Sequence, residues 1–228
     1  DQIFGRGVVA TIEDMGTQSD PPTHPELLDW LALSFMNEDQ WSIKALIKDI
    51  VMSGTYRQNS ENSPELYQRD PQNELYARGP RLRLTAEQIR DQALAVSGLL
   101  SPKMYGPGVM PPQPEGIWQS VYSNEKWTES EGEDKNRRAV YTYLKRTSPY
   151  PSFITFDAGS REVCTIRRTV TNTPLQALVT LNDPVYMEAA YHLAKTMEGL
   201  DVEIGISKGY EKATYSKINP EKLEALKD

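Results

Sequence analysis

The chain has 228 residues, 38% apolar and 25% charged, with a mean hydropathy of -0.59 and a formal net charge of -7. That is polar for a globular protein yet well short of a disordered composition, and the acidic balance (pI about 5.1) argues against a nucleic-acid partner. A single cysteine, Cys164, and two histidines, His24 and His192, exclude an internal disulfide, a zinc finger, an iron–sulfur cluster and a haem attached through C-x-x-C-H, and no apolar run approaches the roughly 18 residues of a membrane span.

Helical signals come first. Thr23-His24-Pro25-Glu26 has the T-x-x-E form of a capping box, with proline in a first helical turn, and Leu27, Leu28, Leu31 and Phe35 follow as one apolar stripe. Ser42 is placed to cap a second helix carrying Ile43, Leu46, Ile47, Ile50 and Val51 and ending near Gly54. The short link between them predicts that residues 23–36 and 42–53 pack as an antiparallel hairpin through Leu27, Leu31, Ile43, Ile47 and Ile50. Residues 59–71 read as a polar loop, with room for a short helix over about 73–78. Thr85 to Gln88 repeats the capping-box form and leads a helix whose stripe is Ala86, Ile89, Ala93, Val96 and Leu100.

From Ser101 to Pro149 the prolines and glycines exclude a long helix. Glu125 to Asp134 carries five acids against one lysine and reads as a solvated loop tip. Residues 123–135 are therefore expected to be the most mobile internal stretch, with Trp127 its sole apolar anchor. Residues 138–146, rich in β-branched and aromatic side chains, fit either a strand or a helical turn. Thr173-Pro174, Asp183-Pro184 and Asn219-Pro220 each set a capping residue before a proline and so start three helices. Their apolar positions are Leu175, Leu178 and Val179, then Met187, Ala190, Tyr191 and Ala194, then Leu223 and Leu226. The fold class expected is mainly α: an irregular helical domain with long Pro/Gly-rich loops and at most a small β element. Residues 1–228 are expected to form one such domain, truncated at both ends of the natural one.

Candidate functional residues are few. His24, beside Glu26 and Asp29, could be an oriented general base, but a helix-start residue packing under the preceding loop is the favoured reading. His192 reads as structural. Cys164, with Arg161, Arg167 and Arg168 nearby, has the neighbours of an activated thiol, although a small buried filler is favoured. Charge distribution says more. Residues 136–170 hold seven cations (Arg137, Arg138, Lys145, Arg146, Arg161, Arg167 and Arg168) against Asp157 and Glu162 alone, and Arg78, Arg81, Arg83 and Arg90 form a second cluster. Arginine in excess of lysine points to fixed bidentate pairing, either with internal carboxylates or with an anionic ligand. The candidate anion site is the helix start at Thr173, with Arg161, Arg167 and Arg168 as donors; Asp157 or Glu162 could occupy the same place instead.

Several runs also occur together in order: Phe4-Gly5-Arg6-Gly7, Asp14-Met15-Gly16, His24 through Ala32, Ser53-Gly54-Thr55-Tyr56-Arg57-Gln58, and Arg81-Leu82-Arg83. They are followed by Phe156-Asp157-Ala158, Arg167-Arg168, Thr171 through Leu178 and Leu181-Asn182-Asp183-Pro184. Across about residues 3 to 198 this resembles the Planctomycetes-type C-terminal domain of unknown function found beside cytochrome-c-like domains in exported bacterial proteins. The resemblance implies an extracytoplasmic, multidomain parent and assigns no reaction and no residue roles. No cofactor is expected in this chain; a haem c would belong to a neighbouring domain. The expected partners are other domains of the parent protein. The leading functional reading is a non-catalytic helical module that positions a haem or carbohydrate-active neighbour. Its rival is a binder or enzyme of anionic (sulfated or carboxylated) glycans. Arginines saturated by internal partners favour the module, whereas arginines open to solvent in a cleft favour the rival.

Overall fold

A computed structural model describes residues 1–117 and 126–227. The described residues form nine α-helices and two short 3-10 turns; their only β pairing is two isolated bridges, Ser101 with Arg137 and Val109 with Thr142. The protein is mainly α, as its composition and periodicity predict. The chain gathers into two compact units, Asp1–Arg83 and Leu84–Asp228.

The first unit holds α1 (Pro25–Asn37), α2 (Ile43–Met52) and α3 (Pro64–Arg69). Ser42 caps α2 by accepting from the Ala45 amide. Thr23 does not close the expected capping box: its hydroxyl turns to the Val8 carbonyl and His24 Nδ1, and His24 is the residue that precedes α1. The predicted hairpin packing does not form. Leu27, Ile43 and Ile47 are 38%, 66% and 47% exposed. The α1–α2 link instead turns through Gln40 and Trp41, both with positive φ, and Trp41 packs its ring edge-on to Phe35. Ser63 caps α3, inside the stretch read as loop, while residues 73–78 form turns with positive φ at Asn73 and Tyr76 rather than a helix.

Tyr76 is the centre of this unit. Its buried ring lies against Phe4 and His24, and its hydroxyl donates to the Arg6 carbonyl at 3.1 Å. Burial raises the pKa of that phenol above its ordinary value. His24 therefore starts a helix, as the favoured reading had it, but its ring stacks on Tyr76 rather than under the preceding loop.

The second unit holds α4 (Ala86–Ser97), α5 (Pro151–Thr155), α6 (Pro174–Asn182), α7 (Pro184–Lys195), α8 (Val202–Thr214) and α9 (Pro220–Ala225). Its main packing is α4 against α7, with α5 and α6 completing a cluster of Ala86, Ala139, Tyr150, Phe153, Phe156 and Tyr186. Thr85 and Gln88 form the full capping box of α4. The buried positions of α4 are Ala86, Arg90, Leu94 and Ser97, one residue round from the predicted stripe, with Ile89 and Ala93 at its edge. On α7 the buried residues are Val185, Tyr186 and Ala189, whereas the predicted Met187 and Tyr191 are 50% and 58% exposed.

Residues 138–146 resolve as the helical-turn alternative: a 3-10 turn over Ala139–Tyr141, followed by the single bridge at Thr142. The acid-rich stretch is not a loose tip over its described part. Trp127 stacks on Tyr150 and donates Nε1–H to the Pro111 carbonyl at 2.8 Å, Ser130 pairs with Met110, and Glu133 and Asp134 hold Ser101 and Lys103. The expectation of mobility at residues 123–125 lies outside the described residues.

Candidate functional site

Two arginines of the arginine-rich clusters, Arg90 and Arg137, are the largest fully buried side chains of the second unit. Arg90 Nη1 and Nη2 donate to the carbonyls of Arg137 and Lys135 at 2.8 and 2.9 Å. Arg137 in turn donates from Nη1 to Pro107 and from Nη2 to Tyr105, with its guanidinium 3.8 Å from the Tyr141 ring centroid. A loop that lacks sheet or helix must satisfy its carbonyls in some other way, and a five-donor planar cation does this for several at once. Nearby Asp183 caps α7 at the Val185 amide; burial raises its pKa, partly offset by that bond and by the charge of Arg90. Tyr150 donates to the Pro112 carbonyl at 2.6 Å, and burial raises its pKa strongly. The Tyr186 phenol is pushed up to about 12, also by burial.

The arginines proposed as anion donors lie in the loop before α6. Arg168 forms a bidentate pair with Glu87 on the first turn of α4, at 2.7 and 3.0 Å. Burial works against the Glu87 charge, but the bonds and charge of Arg168 outweigh it and hold the carboxyl below its ordinary range. The Arg161 guanidinium stands 4.0 Å from the same carboxylate with its side chain 62% exposed, and Arg167 is exposed. Ahead of the helix start at Thr173, Asp157 accepts from the Thr171 amide and hydroxyl at 2.8 Å each. Asp157 thus pins the loop ahead of α6 through Thr171. Gln176, buried on the first turn of α6, accepts from the Thr173 amide and donates to the Thr155 carbonyl. Its role could have been read from the T-x-x-Q spacing; the burial could not.

Cys164 is exposed, which corrects the reading of it as a buried filler. His192 meets the edge of Tyr191 on α7. Among the described residues no three His, Cys, Asp or Glu side chains are grouped to hold a metal ion, and no helix is long and apolar enough to cross a membrane. Apolar side chains remain outside the packing: on α6, Leu175, Leu178 and Leu181 are 55%, 56% and 69% exposed.

What these features define is a mainly α-helical protein whose buried charges serve loop architecture. The chain belongs to the PSD1 family, described as protein of unknown function (DUF1553), which it matches over residues 1–228. No curated protein and no solved structure matches it.

Proposed function

We propose that this chain is a non-catalytic helical module of a larger exported bacterial protein, docking on neighbouring domains and positioning a haem or carbohydrate-active one among them. The observation that carries the reading is the contrast on α6: Arg168 and Asp157 near its start are engaged internally, while Leu175, Leu178 and Leu181 line its outer face exposed. An apolar stripe on a helix is stabilised only when something covers it, and such stripes mark contact surfaces. The exported setting and the haem-bearing neighbour rest on the resemblance of the motif series.

Hydrogen exchange across residues 174–182, compared between the isolated chain and its full-length parent, tests this. The parent is expected to protect the outer face of α6, and Leu178→Asp is expected to remove that protection while leaving the isolated chain folded. Equal exchange in both contexts, or full activity of the parent carrying Leu178→Asp, counts against docking through this helix.

A further inference from the structure

The second arginine cluster contributes to a feature that the module reading leaves unused. In the first unit, four chain segments (residues 4–6, 60–62, 71–73 and 78–82) enclose a cleft of about 270 Å³. Three arginines line it, Arg6, Arg78 and Arg81, and no carboxylate is among the lining residues. From this juxtaposition we infer that the cleft is a binding site for a small hydroxylated carboxylate, a sugar acid of monosaccharide size, gripped by Arg81 with Arg6 and Arg78 adding positive charge.

The walls are fixed before any ligand arrives. Arg78 donates Nη1 and Nη2 to the carbonyls of Asp70 and Pro71 at 2.8 and 2.9 Å, and its own backbone is clamped by Asn73 at both N–H and C=O. Tyr76 holds the Arg6 carbonyl, and Gly79 passes so close to the backbone of residues 58–60 that a Cβ there would lie 2.7 Å from the Gln58 carbonyl oxygen. Rigid walls reduce the ordering cost of binding.

Charge favours an anion. Two carboxylates stand behind the wall: Glu74 pairs with Arg6 Nη2 at 2.6 Å, and buried Asp70 accepts from the amides of Glu74 and Leu75. Against them stand three guanidiniums, and they are not equally committed. Arg6 gives Nη1 to Gln72 at 2.7 Å and Nη2 to Glu74, so it lends the cleft positive charge rather than uncommitted terminal donors. Arg81 uses only Nε, toward the Ser60 carbonyl at 3.1 Å, so among the described residues its two terminal amino groups are uncommitted. A planar pair of free N–H donors matches a carboxylate in bidentate geometry. Phe4 and Leu82 give the cleft an apolar wall, and Ser60 and Asn62 give it polar groups of the kind that meet hydroxyls. Its volume is at the low edge of the roughly 300–1,000 Å³ usual for ligand pockets, so it suits one small molecule.

Titration calorimetry of the full chain with D-glucuronate, D-glucose and sodium sulfate tests the assignment. Saturable binding of glucuronate is expected, tighter than that of sulfate and absent for glucose. Arg81→Gln is expected to weaken it about tenfold or more, the scale of a lost charged hydrogen-bond pair. Arg69→Gln, an exposed arginine outside the cleft, is expected to leave it unchanged, with circular dichroism confirming that both variants fold. No saturable binding of glucuronate, equal affinity for glucose or for sulfate, or an equal loss in both variants overturns the inference. None of these outcomes bears on docking through α6.

Discussion

Arg168 and Glu87 show how a residue pair joins distant parts of the chain, the loop before α6 and the first turn of α4. Glu87 is held below the ordinary carboxyl range although burial opposes its charge, chiefly because Arg168 binds the carboxylate with two hydrogen bonds. A carboxyl whose folded pKa is depressed contributes stability that is fully present above its unfolded value. That contribution is lost as the pH falls through the lower folded value. Chemical denaturation across pH 6 to 3 is therefore expected to show a stability decline, as the pH falls below the ordinary glutamate range, that is smaller in Glu87→Gln. An unchanged acid profile in the variant would show that the pair does not supply this linkage. Arg90 acts differently, since its hydrogen-bond partners are the backbone carbonyls of Arg137 and Lys135.

At the scale of elements, the termini were legible and the faces were not. Ser42, Thr85, Asp183 and Asn219 each cap the helix that the sequence places after them, because a short oxygen-bearing side chain ahead of a helix meets its free amides whatever the tertiary context. Thr85→Ala is accordingly expected to cost about 1 kcal/mol in urea unfolding. A change below about 0.3 kcal/mol would place the strength of α4 in its packing alone. Three helices went unread. α3 and α5 are too short for a periodic signal, and α8 carries Gly205 and Gly209, which read as breakers. Gly209 is there for closeness: a Cβ at that position would lie 2.6 Å from Met197 Sδ. The predicted Ala86, Ile89 and Ala93 on α4 and Val179 on α6 do meet the core, but the inward faces also hold Arg90 and Gln176, whose hydrogen bonds serve neighbouring loops, while Leu178 and Met187 lie exposed.

Among the described residues of the molecule, no His, Cys, Asp and Glu side chains form a group of three or more that could hold a metal ion. His24, Cys164 and His192 serve a helix start, an exposed loop and a helix surface. Elemental analysis of the purified chain is expected to find neither zinc nor iron at stoichiometric level, and one equivalent of either would overturn that expectation. The sequence by itself determined the helical class, the starts of five helices and the positions of the two arginine-rich clusters, because composition, capping and charge are local properties of the chain. Tertiary structure alone decided which arginines are internal struts and which line a cleft. A guanidinium's fate depends on the carbonyls and carboxylates brought to it from far along the chain: Arg90 meets the loop at residues 135–137, Arg168 meets Glu87, and Arg81 meets Ser60 with both terminal amino groups uncommitted. No local pattern encodes those meetings, since each is made by packing between segments tens of residues apart.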